Sequence, residues 1–143
     1  MYVLDSDHLS ILQRPHIDGF SSLTRRCSER PASEFFVSIV SFHEQVNGWT
    51  KYVARAAKSD GLIRGYTELE GILDAFARAQ VLPFSSAAAE VYDELRSQRI
   101  RVGAMDLRIA SIAIANGMTL LTRNAVDFER IPNLVFEDWT VDL

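Results

Sequence analysis

Five short runs, at 2–4, 35–40, 81–84, 118–121 and 134–136, are too continuously apolar to lie in a sheet with one wet face. Strands buried on both faces read this way, and they belong to parallel sheets covered on each side by helices. The segments between the runs carry a different period. Ile17, Phe20, Leu23 and Cys27 recur at near-helical spacing, and 45–57, 87–98 and 107–115 also read as helices. Segment 62–79 sets Leu62, Tyr66, Leu69, Leu73 and Phe76 on one helical stripe. Strand-like and helix-like segments alternate, which predicts an α/β fold, a three-layer α/β/α sandwich around a mostly parallel sheet of about five strands.

At 143 residues and 48% apolar composition the chain can build one substantial core. Its four prolines, at 15, 31, 83 and 132, are scattered singly and no linker interrupts the pattern, so a single domain over 1–143 is expected. No window approaches the roughly 18 uninterrupted apolar residues of a membrane span, and no basic, apolar leader precedes the first run. The expectation is a soluble, cytoplasmic protein without a membrane partner. Cys27 is the lone cysteine, which excludes an intrachain disulfide and a multi-thiolate metal site and fits a reducing compartment.

In an open parallel sheet every strand ends at the same edge, and ligands bind in the crevice there. Reading only the positions just past each apolar run gives Asp5 and Asp7, then Glu44, then Asn124 and Asp127. Asp106 joins them at the start of the helix that leads into the fourth run. Carboxylates gathered in one crevice repel one another, and a hard divalent cation with oxygen ligands relieves the repulsion. Mg²⁺ or Mn²⁺ held by a few carboxylates and several waters suits hydrolysis of a phosphodiester.

Each acid also has a plainer reading. Ser41 and Glu44 match the capping box S-x-x-E, so Glu44 could serve only to start a helix. Asp106 could answer a helix dipole or cap, Asp127 could be a solvated turn acid, and Asp7 could cap the segment after it. Asp5 ends a central strand and has no obvious cap to make.

His8, His16 and His43 have neither an i, i+4 histidine pair nor a cysteine partner, which argues against zinc and for surface or packing roles. Phosphate-binding glycine loops and the serine hydrolase elbow are absent. The net charge of −4 excludes general coating of nucleic acid, so any such contact must be local. Only Lys51 and Lys58 among the 15 basic residues are lysines. Arginine forks suit phosphates, but a GC-rich genome produces the same bias.

The stretches "YVLDSDHLS", "VSIVSFHEQVNG" and "VGAMDLRIASIAIANGMTLLTRNAVDFERIPNLVFEDW" together resemble a PIN domain, and within that group the VapC-type ribonuclease toxins of type II toxin-antitoxin pairs. The resemblance implies a PIN-like sandwich, an acidic pocket binding Mg²⁺ or Mn²⁺, cleavage of single-stranded or loop RNA of the tRNA or rRNA class, a cognate antitoxin and a homodimer. Carried over position by position, the family's acids fall on Asp5, Glu44 and Asp106, as metal ligands and catalytic groups. The fourth position falls on Asn124 or Asp127, with Asp127 the catalytic candidate. Thr122 and Ser6 match small hydroxyl residues beside the metal.

Two other functions fit part of the pattern. The D-x-D of Asp5 and Asp7 also resembles haloacid-dehalogenase phosphatases, although no lysine follows a strand as that chemistry wants. A PIN-like module that has lost activity and only binds RNA or protein is the other.

Overall fold

Why the chain closes into one sheet is visible in its central strand. β1 (Tyr2–Leu4) alternates Val3 and Leu4 to opposite faces, and both are buried. The structure is a computed structural model that describes residues 1–142; Leu143, the end of the expected domain, lies outside the described residues. The remaining elements are α1 (Ser6–Leu12), α2 (Phe20–Ser28), β2 (Phe35–Ser38), α3 (Ile39–Arg55), α4 (Ser59–Arg78), β3 (Val81–Leu82), α5 (Ser86–Ser97), α6 (Ala104–Ala115), β4 (Thr119–Leu121), α7 (Ala125–Phe128) and β5 (Phe136–Glu137).

The five strands form one sheet in the order β3-β2-β1-β4-β5, and every pairing is parallel. Val3 sits beside Phe36 on one side and Leu120 on the other. Val3 and Leu120 pack with α5 and α6, while Leu4 and Leu121 join Ile11, Leu23, Ile72, Phe76 and Trp139 on the opposite face. Two core layers on one parallel sheet make the sandwich expected from the apolar runs.

From β1 the chain winds outward through β2 to β3, then returns to lay β4 on the other flank of β1. Connections therefore leave β1 and β4 in opposite directions, which opens a crevice beyond their C-terminal ends.

Several boundaries differ from the sequence reading, each for a local reason. The run 35–40 stops being a strand at Ser38, whose Oγ accepts from the Ser41 backbone N–H at 3.1 Å and so caps α3. The helix expected from 45 thus begins at Ile39. On α4 the buried positions are Gly65, Ile72 and Phe76, whereas Leu62, Tyr66 and Leu73 of the expected stripe are exposed. The hairpin of α3 and α4 explains the shift. A Cβ on Gly65 would collide with Val53 Cγ2, so the two helices approach through that glycine and turn the rest of the stripe outward.

Candidate active site

Asp5 is the first residue past β1 and still belongs to the ladder, since its backbone N–H donates to Leu121 O at 2.9 Å. Its position as N-cap of α1 aims the carboxylate into the crevice, where Oδ1 accepts from the Ser6 N–H at 2.8 Å. Oδ2 accepts from Thr122 Oγ1, also at 2.8 Å. Thr122 is the residue just past β4 and is fully buried, so the two strand tips that flank the crevice are joined directly.

Asp7, read from the sequence as one of the crevice acids and as the cap of α1, is not that cap, because Asp5 takes the N-cap position and Asp7 falls inside the first turn. Its Oδ2 accepts from the Arg123 N–H at 2.9 Å and lies 3.2 Å from Thr122 Oγ1. Thr122 has one hydroxyl proton and two carboxylates within reach, so it satisfies Asp5 or Asp7 at any instant but not both. The other oxygen of Asp7 is 2.8 Å from His8 Nδ1. His8 is fully buried, and its Nε2 accepts from the Trp139 N–H at 3.1 Å. That acceptor role leaves the proton on Nδ1, so the ring donates to Asp7 and ties the crevice to the segment after β5.

Asp106 stands in the first turn of α6, where a carboxylate also answers the helix dipole. Asn124 Nδ2 lies 3.4 Å from Asp106 Oδ2 and 3.0 Å from Asp127 Oδ2, so the amide bridges these two acids. Glu44 is close enough for its charge to act on Asp106. It lies inside α3, beyond the turn capped by Ser38, so the capping box proposed for Ser41 and Glu44 does not form. The helix-starting role of Glu44 thereby disappears.

The electrostatics record the crowding. Burial first, and then the charge of Asp7, push the Asp5 carboxyl up to about 7 against the hydrogen bonds from Thr122 and Ser6. Asp106 is raised by burial, then by Glu44, Asp127 and Asp7. Asp7 goes the other way, because the hydrogen bonds from His8 and Arg123 outweigh its burial and hold it below its ordinary value. Two neighbours two residues apart are thus driven in opposite directions, an arrangement typical of sites that handle protons or cations.

The donors here are all oxygens, which suits Mg²⁺ or Mn²⁺ and not a thiolate- or imidazole-seeking ion. Among the described residues no three or more His, Cys, Asp or Glu side chains form a ready-made cage. Ions that keep several of their waters need only one or two direct carboxylates. Ser6 Oγ is buried and has no partner among the described residues. The sequence reading missed His8 and the backbone of Trp139. Adjacency to D-x-D was a weak signal for His8, and nothing in the sequence marks a contact with residue 139.

A model of the PIN domain family matches residues 3–134. The chain is 43% identical over 72 residues to ribonuclease VapC2 of Rickettsia felis, an alignment covering 47% of this chain and 54% of that protein. It is therefore matched along only about half of that relative's length. It is 31% identical over 111 residues to the tRNA(fMet)-specific endonuclease VapC of Salmonella typhimurium, covering 75% of this chain and 76% of that one. Its fold matches the crystal structure of VapBC2 from Rickettsia felis bound to a promoter DNA fragment, with a TM-score of 0.71 and 27% identity over 96% of this chain and 98% of that chain.

Proposed function

Since the chain belongs to the PIN domain family, we propose that it is a metal-dependent endoribonuclease toxin, held inactive by a cognate antitoxin protein. The observation that carries this reading is the joining of Asp5 and Asp7 through Thr122 at the tips of β1 and β4, with Asp106 of α6 close enough for its charge to act on Asp5. Asp5 and Asp106 are both pushed up by burial and then by neighbouring acids. The named ribonucleases among its relatives support the activity, and the toxin-antitoxin complex with the same fold supports the partner.

Asp5, Glu44 and Asp106 are the side chains that would hold Mg²⁺ or Mn²⁺, with Asp127 as a further catalytic acid. The bound ion supplies activation of water and neutralisation of charge on the phosphodiester. The chain's own residues do the rest. Thr122 orients Asp5, the Asp7–His8 pair fixes the Thr122–Arg123 backbone, and Asn124 holds Asp106 and Asp127 together against their repulsion. The substrate class is single-stranded or loop RNA of the tRNA or rRNA kind. An antitoxin that inserts an arginine or lysine among the acids would displace the cation. The exposed Leu62, Tyr66 and Leu73 on α4 offer a face for a second copy of the chain.

No helix among the described residues is long and apolar enough to cross a membrane, and a cytoplasmic site of action agrees with that. Intact acids speak against a decayed binding module, and the family match leaves the phosphatase reading without support.

The test is cleavage of tRNA and rRNA fragments with Mg²⁺, Mn²⁺ or EDTA, with and without the antitoxin. Cleavage should require the metal and stop on adding the antitoxin. Asp106→Asn should lower the rate by more than the roughly hundredfold lost when only a supporting residue around a metal is changed. Full cleavage in EDTA, or by Asp106→Asn, would remove the proposal.

A further inference from the structure

Beside the acids runs a groove of about 430 Å³, within the range of small-molecule sites, about 300–1,000 Å³. Its walls are Ser6, Ser10, Gln45, Gly48, Trp49 and Tyr52, and it reaches Asp7 and Glu44 without a break. The lining is mixed in a particular way. Trp49 and Tyr52 present aromatic rings 5.1 Å apart, and the Arg64 guanidinium lies 5.8 Å and 5.6 Å from them. Arg14 lines an adjoining hollow that shares Ser10, Gln45 and Trp49. Ser6 Oγ and Gln45 Nε2 are both buried without a hydrogen-bond partner among the described residues. A buried polar group left unpaired is costly, so two of them on one groove mark a place where a polar ligand completes the bonding.

A purely apolar guest would leave Ser6 and Gln45 unsatisfied, and a purely charged one would waste the rings. A nucleobase answers both, with a π-face for stacking and an edge of donors and acceptors. The cations at Arg64 and Arg14 suit the phosphates on its flanks. Resting on the ribonuclease reading above, we propose that this groove seats a base next to the phosphodiester being cut. Trp49 is its stacking platform and Gln45 the side chain that reads its edge, so the two set which RNA sequences are accepted.

Gly48 gives the cleanest test, because a Cβ there would meet nothing within 4 Å. Gly48→Leu should fill the groove while raising thermal stability, since glycine is a poor interior residue for α3. On an oligoribonucleotide it should raise KM by roughly ten- to a hundredfold, the range set by losing one stacked base, with kcat little changed. Trp49→Leu should act alike and Trp49→Phe should retain most of the affinity. Gln45→Ala should alter base preference.

Trp139 is only 2% exposed, so quenching of tryptophan fluorescence reports Trp49. Nucleoside 5′-monophosphates with Mg²⁺, which contain no phosphodiester to cut, should quench wild type and not Gly48→Leu. If wild type cleaves RNA while Gly48→Leu and Trp49→Leu keep its KM and base preference, the groove inference is wrong and the ribonuclease reading stands. If these variants lose affinity only for the antitoxin, the groove is a protein seat and the inference is equally overturned. If wild type with metal neither binds nor cuts RNA, the ribonuclease reading itself has failed.

Discussion

The crevice at the tips of β1 and β4 and the hairpin of α3 and α4 are both rich in groups that a single chain leaves unsettled, but of opposite kinds. In the crevice the surplus is charge, with Asp5 and Asp106 raised by burial and by their acidic neighbours. On the hairpin it is apolar area, with Tyr66 at 58% and Leu73 at 66% exposure. The first costs folding energy that a cation can return, and the second costs little until a partner covers it. Function can therefore sit where the fold is stressed, while assembly can use what the fold did not need.

The largest test of that contrast is the pH dependence of the metal-free protein. Asp5 is held at about 7 in the fold against 3.8 as an ordinary carboxyl, so the folded state binds the extra proton between those values. Its contribution to stability is whole below 3.8 and is lost as pH rises through about 7. Asp106 shifts in the same direction. Melting in EDTA should fall between acid and pH 8 by on the order of a few kcal/mol. Mn²⁺ should flatten the curve, and Asp5→Asn should flatten it without metal. A melting temperature that stays level in EDTA would show that the crevice is not stressed.

A smaller effect belongs to the hairpin. Gly65→Leu forces a side chain between α3 and α4 at Val53 and should cost about 1–3 kcal/mol by overpacking. Folded molecules should bind Mn²⁺ at close to wild-type affinity, because the side chains next to Gly65 are Val53 and Tyr52 and not an acid of the crevice, while the push on Tyr52 should weaken RNA binding in the groove. The same change splays the face that carries Tyr66 and Leu73. If that face pairs two copies, sedimentation at micromolar concentration should move from dimer towards monomer. A variant that melts normally would place the close approach elsewhere.

The smallest effect separates helix start from charge at α3. Ser38→Ala removes the cap and should lose about 1 kcal/mol while leaving metal binding nearly intact. Glu44→Gln should keep stability in EDTA and weaken Mn²⁺ binding in calorimetry. Loss of stability in Glu44→Gln without loss of metal would return Glu44 to a purely structural role.

The five apolar runs determined the layer order and the parallel sheet, because only a strand covered on both faces tolerates such continuity. The acids after those runs were legible too, since a parallel sheet sends every strand end to one edge whatever the loops do. Local chemistry was harder to read. The sequence reading takes Ser41 as the cap of α3 and misses Ser38, which fills that place because β2 ends where its pairing with the short β3 ends. The stripe on α4 was legible as one apolar face, but the close approach at Gly65 decides that Leu62, Tyr66 and Leu73 face out while Phe76 is buried. His8 and Trp139 lie 131 residues apart, and no local pattern announces a hydrogen bond between them. Hydrophobic period and strand polarity are local or global rules that any reader of the chain can apply. Which glycine lets two helices touch, and which carboxylate a buried histidine orients, depends on distances that exist only after the chain has closed on itself.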